Sequence, residues 1–279
     1  MIGVIDVGGG LRGIYGAGVF DYCLDEQIKF DYCIGVSAGS ANIASYTAGQ
    51  RGRNYRFFTD YTFRKEYMSL SNMIKSGSYI GVDYIYGTLS NSGGEDPLGY
   101  AKMKIYPGII KTVATNALTG EAKYFEIGDY TQDDYSVLKA SCSLPVVCKP
   151  YFIGGVPYYD GGVSDPVPLE KAFADGCEKA VLILTKPIET SSASSRNSAA
   201  AKILKNKYPN TSAALMKMAE KYETCVKKAL ELQQQGKVLI IAPDNTCGMS
   251  TLTKDKAKID AMYRKGYSDA EKIKNFQTR

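Results

Sequence analysis

Apolar residues fall along this chain in short dense runs, separated by glycine turns and by stretches with helical spacing. Ile2–Val7 is one such run, ended by Gly8-Gly9-Gly10, and its length suits a strand buried on both faces. From Arg12 to Glu26 the residues Ile14, Ala17, Phe20 and Leu24 recur at helical spacing. Phe30–Val36 predicts a second buried strand, which runs into Ser37-Ala38-Gly39-Ser40 and a small-residue helix over Ala41–Ala48. Strand, helix, strand, helix in this order implies βαβ units and a mainly parallel sheet.

Farther along, Ile109–Thr115 and Lys123–Ile127 predict a hairpin through Asn116–Gly120, and Val146–Ile153 with Pro157–Tyr159 predict another around Gly154-Gly155. Helices are expected over Asp133–Ser141, Pro168–Asp175 and Thr211–Gln235. The last of these carries Leu215, Met218, Tyr222, Val226 and Ala229 on one face. Ala180–Thr185 and Lys237–Ala242 read as buried strands, Ser191–Ser198 as a surface loop, and Thr253–Phe276 as a charged amphipathic helix. A strand this late favours one domain over residues 1–279, with its core motifs in 1–185 and a mostly helical extension over 186–279. Residues 51–107 have another texture, with Tyr and Phe interleaved among Arg, Lys, Gly and Asn and no sustained period. They read either as satellite core or as a cap lining an amphipathic substrate site.

Composition changes the picture at one point above all: the 279 residues include no histidine. A Ser-His-Asp triad, a Cys-His dyad and a histidine-ligated metal are therefore excluded, and acid–base work falls to carboxylate, lysine, tyrosine or cysteine. The 7 cysteines are scattered without a C-x-x-C, which predicts reduced thiols and no zinc; separately, no other cofactor is expected. The amino terminus has no basic n-region, so the expectation is a cytoplasmic protein. No apolar run approaches the roughly 20 residues of a membrane span. A net charge of +5 is a mild excess and predicts no nucleic-acid partner.

The candidate chemistry sits in three glycine-rich places. Gly35-Val36-Ser37-Ala38-Gly39 is a G-x-S-x-G between a strand and a helix, the setting that pushes a serine Oγ out over a sheet edge. With no histidine to serve it, the best base is Asp160, in Tyr159-Asp160-Gly161-Gly162, and Lys139 and Lys149 are rivals. Gly8-Gly9-Gly10-Leu11-Arg12-Gly13 follows a strand and precedes a helix, which leaves backbone N–H groups to converge on an anion. That anion is a phosphate or an acyl oxyanion. Gly8, Gly10 and Gly13 also fit a dinucleotide fingerprint, but the second strand ends in Gly35-Val36-Ser37 where that fingerprint wants an acid. Arg12 either assists the anion or pairs to fix the helix start.

Taken together, Gly-Gly-Gly-x-Arg-Gly, Gly-x-Ser-x-Gly, Asp-Gly-Gly and the block Ala140-Ser141-Cys142-Ser143-Leu144-Pro145 resemble the patatin-like phospholipase family over about residues 1–185. The resemblance implies a three-layer α/β/α fold with a mainly parallel sheet, a Ser-Asp dyad and hydrolysis of lipid acyl esters. Carried onto this chain it makes Ser37 the nucleophile, Asp160 the base and Gly8, Gly9, Gly10, Leu11 and Arg12 the oxyanion hole. Gly35 and Gly39 then flank the nucleophile, and Gly161 and Gly162 follow the base. The implied partner is a lipid or acyl-ester substrate, met in transient contact at a membrane surface; Arg51, Arg53 and Arg56 are the nearest basic cluster for such contact, or else simply a solvated loop. A lipid-binding protein without turnover and a nucleotide-binding module are the alternatives.

Overall fold

The two amino-terminal apolar runs pair in parallel in the computed structural model of the chain, which describes residues 1–190 and 195–277. They form β1 (Ile2–Asp6) and β2 (Tyr32–Val36). The later strands are β3 (Ile109–Asn116), β4 (Ala122–Glu126), β5 (Tyr151–Ile153), β6 (Val156–Asp160), β7 (Lys179–Ile183) and β8 (Val238–Ile241). All belong to one sheet of order β5-β6-β3-β2-β1-β7-β8, with β4 paired to β3 off this path. The strands from β3 through β8 in that order run parallel, while β4, β6 and β5 are antiparallel additions at one side.

The helices are α1 (Ile14–Asp25), α2 (Ala38–Thr47), α3 (Arg53–Thr59), α4 (Leu70–Ser76), α5 (Tyr100–Lys104) and α6 (Ser136–Ser141). They continue with α7 (Leu169–Ala174), α8 (Ser195–Leu204), α9 (Pro209–Gln234), α10 (Lys256–Asp269) and α11 (Lys272–Gln277). Strand side chains alternate between two cores. Val4, Cys33, Ile110 and Val181 pack with α1, α2 and α10, whereas Ile5, Ile34, Val113 and Leu182 pack with α7 and α9. The result is the expected three-layer α/β/α fold.

The carboxy-terminal part is joined closely to the first helix. A Cβ at Gly18 would meet the Tyr263 carbonyl, and one at Gly266 would meet that of Tyr15, so the backbones of α1 and α10 touch. Tyrosine hydroxyls lock the contact by donating to carboxylates. Tyr15 reaches Asp269 at 2.8 Å, Tyr263 reaches Asp21 at 2.8 Å and Tyr267 reaches Asp25 at 2.8 Å.

Several boundaries differ from the sequence expectation, each for a local reason. The helix expected over Thr253–Phe276 starts at Lys256, where Asp255 caps it, and breaks after Asp269 so that Ala270 and Ile273 turn into the core. The helix expected from Asp133 starts at Ser136. Asp133 sits at φ +65° with its carboxylate accepting from Ser92, and Asp134 accepts from the Ser136 N–H. Val146, at φ +69°, lies in a loop, and the hairpin strand begins only at Tyr151. Of the loop expected over Ser191–Ser198, residues 191–194 lie outside the described residues, and Ser195 already opens α8.

Candidate active site

Ser37 is the single residue between the end of β2 and the start of α2, at φ +56° and ψ −129°. A serine in this region is strained, and it persists because its surroundings over-determine it. A Cβ at Gly35 would stand 2.6 Å from the Ser40 backbone, and one at Gly39 would strike the Asp6 carbonyl. Only glycine lets strand, turn and helix approach this closely. The Ser37 N–H donates to Ser141 Oγ at 3.0 Å, and Ser141 in turn donates to the Val113 carbonyl at 2.7 Å. Ser40 Oγ also meets Ser141 Oγ at 2.9 Å. Ser141, fully buried at the end of α6, thus ties the turn to β3.

Asp160 ends β6, and its own N–H donates to the Ser143 carbonyl at 2.8 Å. The block from Ala140 to Pro145 therefore holds both Ser37 and Asp160, one through Ser141 and the other through Ser143. The Asp160 carboxyl is buried; Oδ1 accepts the Gly162 N–H at 2.8 Å, while buried Oδ2 has no hydrogen-bond partner among the described residues. Burial pushes this carboxyl from 3.8 up to about 6, opposed by interaction with Ser37 and by the Gly162 N–H. Ser37 thus lies near enough to act on the carboxyl, although no hydrogen bond joins the two among the described residues. A Cβ at Gly161 would collide with the Val113 carbonyl, which explains the first glycine after the aspartate.

The rival lysines are placed elsewhere. Lys139 Nζ is bonded to Asp83 at 2.9 Å and to the Tyr151 hydroxyl at 3.3 Å. Lys149 is exposed and lies against Gly77, at the end of α4.

The glycine turn enters the site from β1. Gly8, Gly9 and Gly10 have φ of +66°, +124° and +61°, which other residues adopt at a cost. The Gly8 N–H is used by Asp6 Oδ1 at 2.9 Å, and the Leu11 N–H by the Thr251 carbonyl at 2.8 Å. Of the donors expected from Gly8 through Arg12, the Gly8 and Leu11 amides are thus already engaged. Gly9 and Gly10 keep amides without an acceptor among the described residues. A pyrophosphate would find two of the turn's amides already bonded, which counts against the nucleotide alternative. Asp6, fully buried beneath the turn, also accepts from Asn42 at 2.9 Å; burial raises its carboxyl to about 6 against these two bonds. Among the described residues Arg12 pairs with no carboxylate; it donates from Nη1 to Thr251 Oγ1 at 3.2 Å. Lys186, stacked on Tyr222 at 4.1 Å, is lowered to about 8 by burial and then by the nearby Arg12 charge. One flank of the turn is therefore electropositive.

An apolar cavity of about 60 Å³ opens from Ser37, several times the room one water needs. Phe57, Phe58, Tyr67, Met68, Ile80 and Tyr86 form much of its wall, so the aromatic stretch is core and cavity lining at once. The arginine cluster is not a free basic face. Arg51 pairs with Asp25 and Arg56 with Asp96, and Arg53 is buried beside Asp96 with Ser45 and Ser90 as further partners. Sequence reasoning missed Asp6, Thr251 and Thr185, whose hydroxyl donates to the Gly8 carbonyl at 2.5 Å. Nothing local marks Thr251, which reaches the turn from the far end of the chain; an aspartate ending a buried strand was the available sign for Asp6.

The family model described as patatin-like phospholipase matches residues 7–173, and a domain of unknown function matches residues 208–276. An uncharacterized protein, YjjU of Escherichia coli (strain K12), is 28% identical over 201 residues, covering 67% of this chain and 52% of its own. The chain thus spans about half the length of this curated relative. The crystal structure of VipD from Legionella pneumophila superposes with a TM-score of 0.48 at 12% identity, over 97% of this chain and 66% of VipD. With more than half its length matched, the chain belongs to the patatin-like phospholipase family, a family of lipid acyl hydrolases.

Proposed function

We propose that the protein is a serine hydrolase of lipid acyl esters, working as one unit over residues 1–279 with a Ser37–Asp160 dyad. The observation that carries this reading is the strained Ser37 lining an apolar cavity, together with a buried Asp160 Oδ2 that has no hydrogen-bond partner among the described residues. Asp160 takes the Ser37 Oγ proton as Oγ bonds to the acyl carbon, and negative charge gathers on the carbonyl oxygen. The Gly9 and Gly10 amides receive that oxyanion, supported by the positive flank at Arg12 and Lys186. Collapse breaks the ester bond, and the leaving alcohol takes the proton from Asp160. Water then gives a proton to Asp160 and attacks the acyl-serine, and the proton returns to Ser37 as the fatty acid departs.

The test is labelling by a fluorophosphonate probe together with release of fatty acid from a lipid ester. Labelling mapped to Ser37 with no measurable release would favour the lipid-binding alternative.

The base must be ionised to work, so its pKa sets an acid limb. The rate is expected to fall about tenfold per pH unit below about 6. Because Asp6 is raised similarly, the profile is repeated in Asp6→Asn; an unchanged limb there assigns it to Asp160.

Chain-length preference follows from the cavity. Ala41 lines it, and Ala41→Leu is expected to lower kcat/KM for a hexadecanoate ester by on the order of tenfold relative to a butanoate. Equal loss on both esters would show that the cavity does not hold the acyl chain.

A further inference from the structure

Residues 69–79 leave the body of the protein as an excursion closed by an antiparallel bridge between Met68 and Ile80, and both of these line the cavity at Ser37. The excursion carries α4, none of whose residues is buried. The helix is locally well made: Ser69 caps its start by accepting the Asn72 N–H at 3.1 Å, and Gly77 ends it at φ +74°. Yet its apolar side meets nothing. Leu70 and Ile74, one turn apart, are 74% and 85% exposed. The neighbouring loop adds exposed Val146 and is bonded to the excursion, Tyr79 N–H to the Val147 carbonyl at 2.7 Å and Lys149 N–H to Ser78 Oγ at 3.0 Å.

Charge surrounds this apolar pair. Lys75 lies in the last turn of α4, and the Lys149 ammonium lies against Gly77 at its end. Neither pairs with a carboxylate among the described residues, while the nearby acids Asp83 and Glu95 are taken by Lys139 and Arg64. Residues 69–79 carry no acid of their own, and the exposed Glu66 just before them is outnumbered by Lys75 and Lys149.

We infer that α4 with Val146, Lys75 and Lys149 is the surface by which the protein seats on an anionic lipid leaflet, setting the cavity mouth against the bilayer. This rests on the lipid-hydrolase reading for its purpose, not for its physics. Two aliphatic side chains on a short helix bury far less than the roughly 1,000 Å² a stable protein interface needs. The same side chains dipping into the headgroup region, flanked by cations, suit a weak and reversible contact with anionic lipid. No helix among the described residues is long and apolar enough to cross a membrane, so lipid contact through the helices must be made from outside.

The experiment is flotation with vesicles of phosphatidylcholine alone or mixed with phosphatidylglycerol, at low and high salt. The protein is expected to float with the mixed vesicles at low salt and less as charges are screened. Leu70→Asp with Ile74→Asp should weaken partitioning by on the order of tenfold per side chain. Lys75→Gln with Lys149→Gln should weaken it by about fivefold per lysine. Both pairs should hydrolyse a water-soluble short-chain ester within about twofold of the parent rate, since neither touches the cavity. Absence of flotation by the parent protein, or variants that float as well as it does, would overturn the inference. So would a dimer that the aspartate pair dissolves while flotation is unchanged. Failure of the dyad reading shows separately, as flotation without hydrolysis of the soluble ester.

Discussion

Replacing Ser37 by alanine or Asp160 by asparagine is expected to lower hydrolysis of an acyl ester by on the order of 10⁴-fold or more, and combining the two should cost little beyond either alone. The non-additivity follows from the proposed chemistry. Without the hydroxyl there is no bond for Asp160 to help form, and without the carboxylate the Ser37 proton has nowhere to go in a protein lacking histidine. The asparagine variant carries a second signature. Burial raises the Asp160 carboxyl above its ordinary 3.8 to about 6, so the folded state holds that proton more tightly than the unfolded chain does. The stability this group contributes is complete below about pH 4 and is lost as pH rises through about 6. Asp160→Asn should therefore melt a few degrees higher than the parent at pH 8, with no such gain at pH 4. An inactive variant that melts higher in alkaline buffer separates loss of the base from loss of the fold. A folded Asp160→Asn with near-parental rates would remove the dyad.

The second large effect is expected at the glycine turn. Gly9→Ala places a methyl group about 2.5 Å from Thr185 Oγ1, and Gly10→Ala drives one into the Thr251 carbonyl; both residues hold positive φ. Either change rotates the free amides away from the oxyanion, for a loss on the order of 10²–10³ in kcat. KM should move much less, because the ground-state ester is held by the cavity. Turnover and KM are read together from initial rates. A change confined to KM would make the turn an anion-binding loop rather than an oxyanion hole.

How much of this was legible in the sequence depended on the range of the interaction. The strands, the parallel core of the sheet and the turn at Ser37 follow from apolar runs and glycines within a few residues of one another. Conformational strain at Ser37 was legible too, because Gly35 and Gly39 announce close approach on either side. The placing of Asp160 toward Ser37, 123 residues away, was not a local property and needed the pairing of β6 with β3. The arginine cluster misled because adjacency in sequence says nothing of burial. Asp25 and Asp96 claim those charges from distant segments. The exposed face of α4 gave no sign either, since Leu70 and Ile74 at helical spacing look the same whether they point inward or out.

The bond from the Leu11 N–H to the Thr251 carbonyl joins positions 240 residues apart, and it carries a consequence in time. The glycine turn is synthesised well before the loop around Thr251 that braces it. Contacts of such long separation close late, after their loops have been ordered. On the proposed mechanism, a nascent chain displays Ser37 long before the Gly9 and Gly10 amides are fixed in place. Acyl transfer is then withheld until residues in the 250s have docked, and a chain stalled before them stays harmless to the lipids around it.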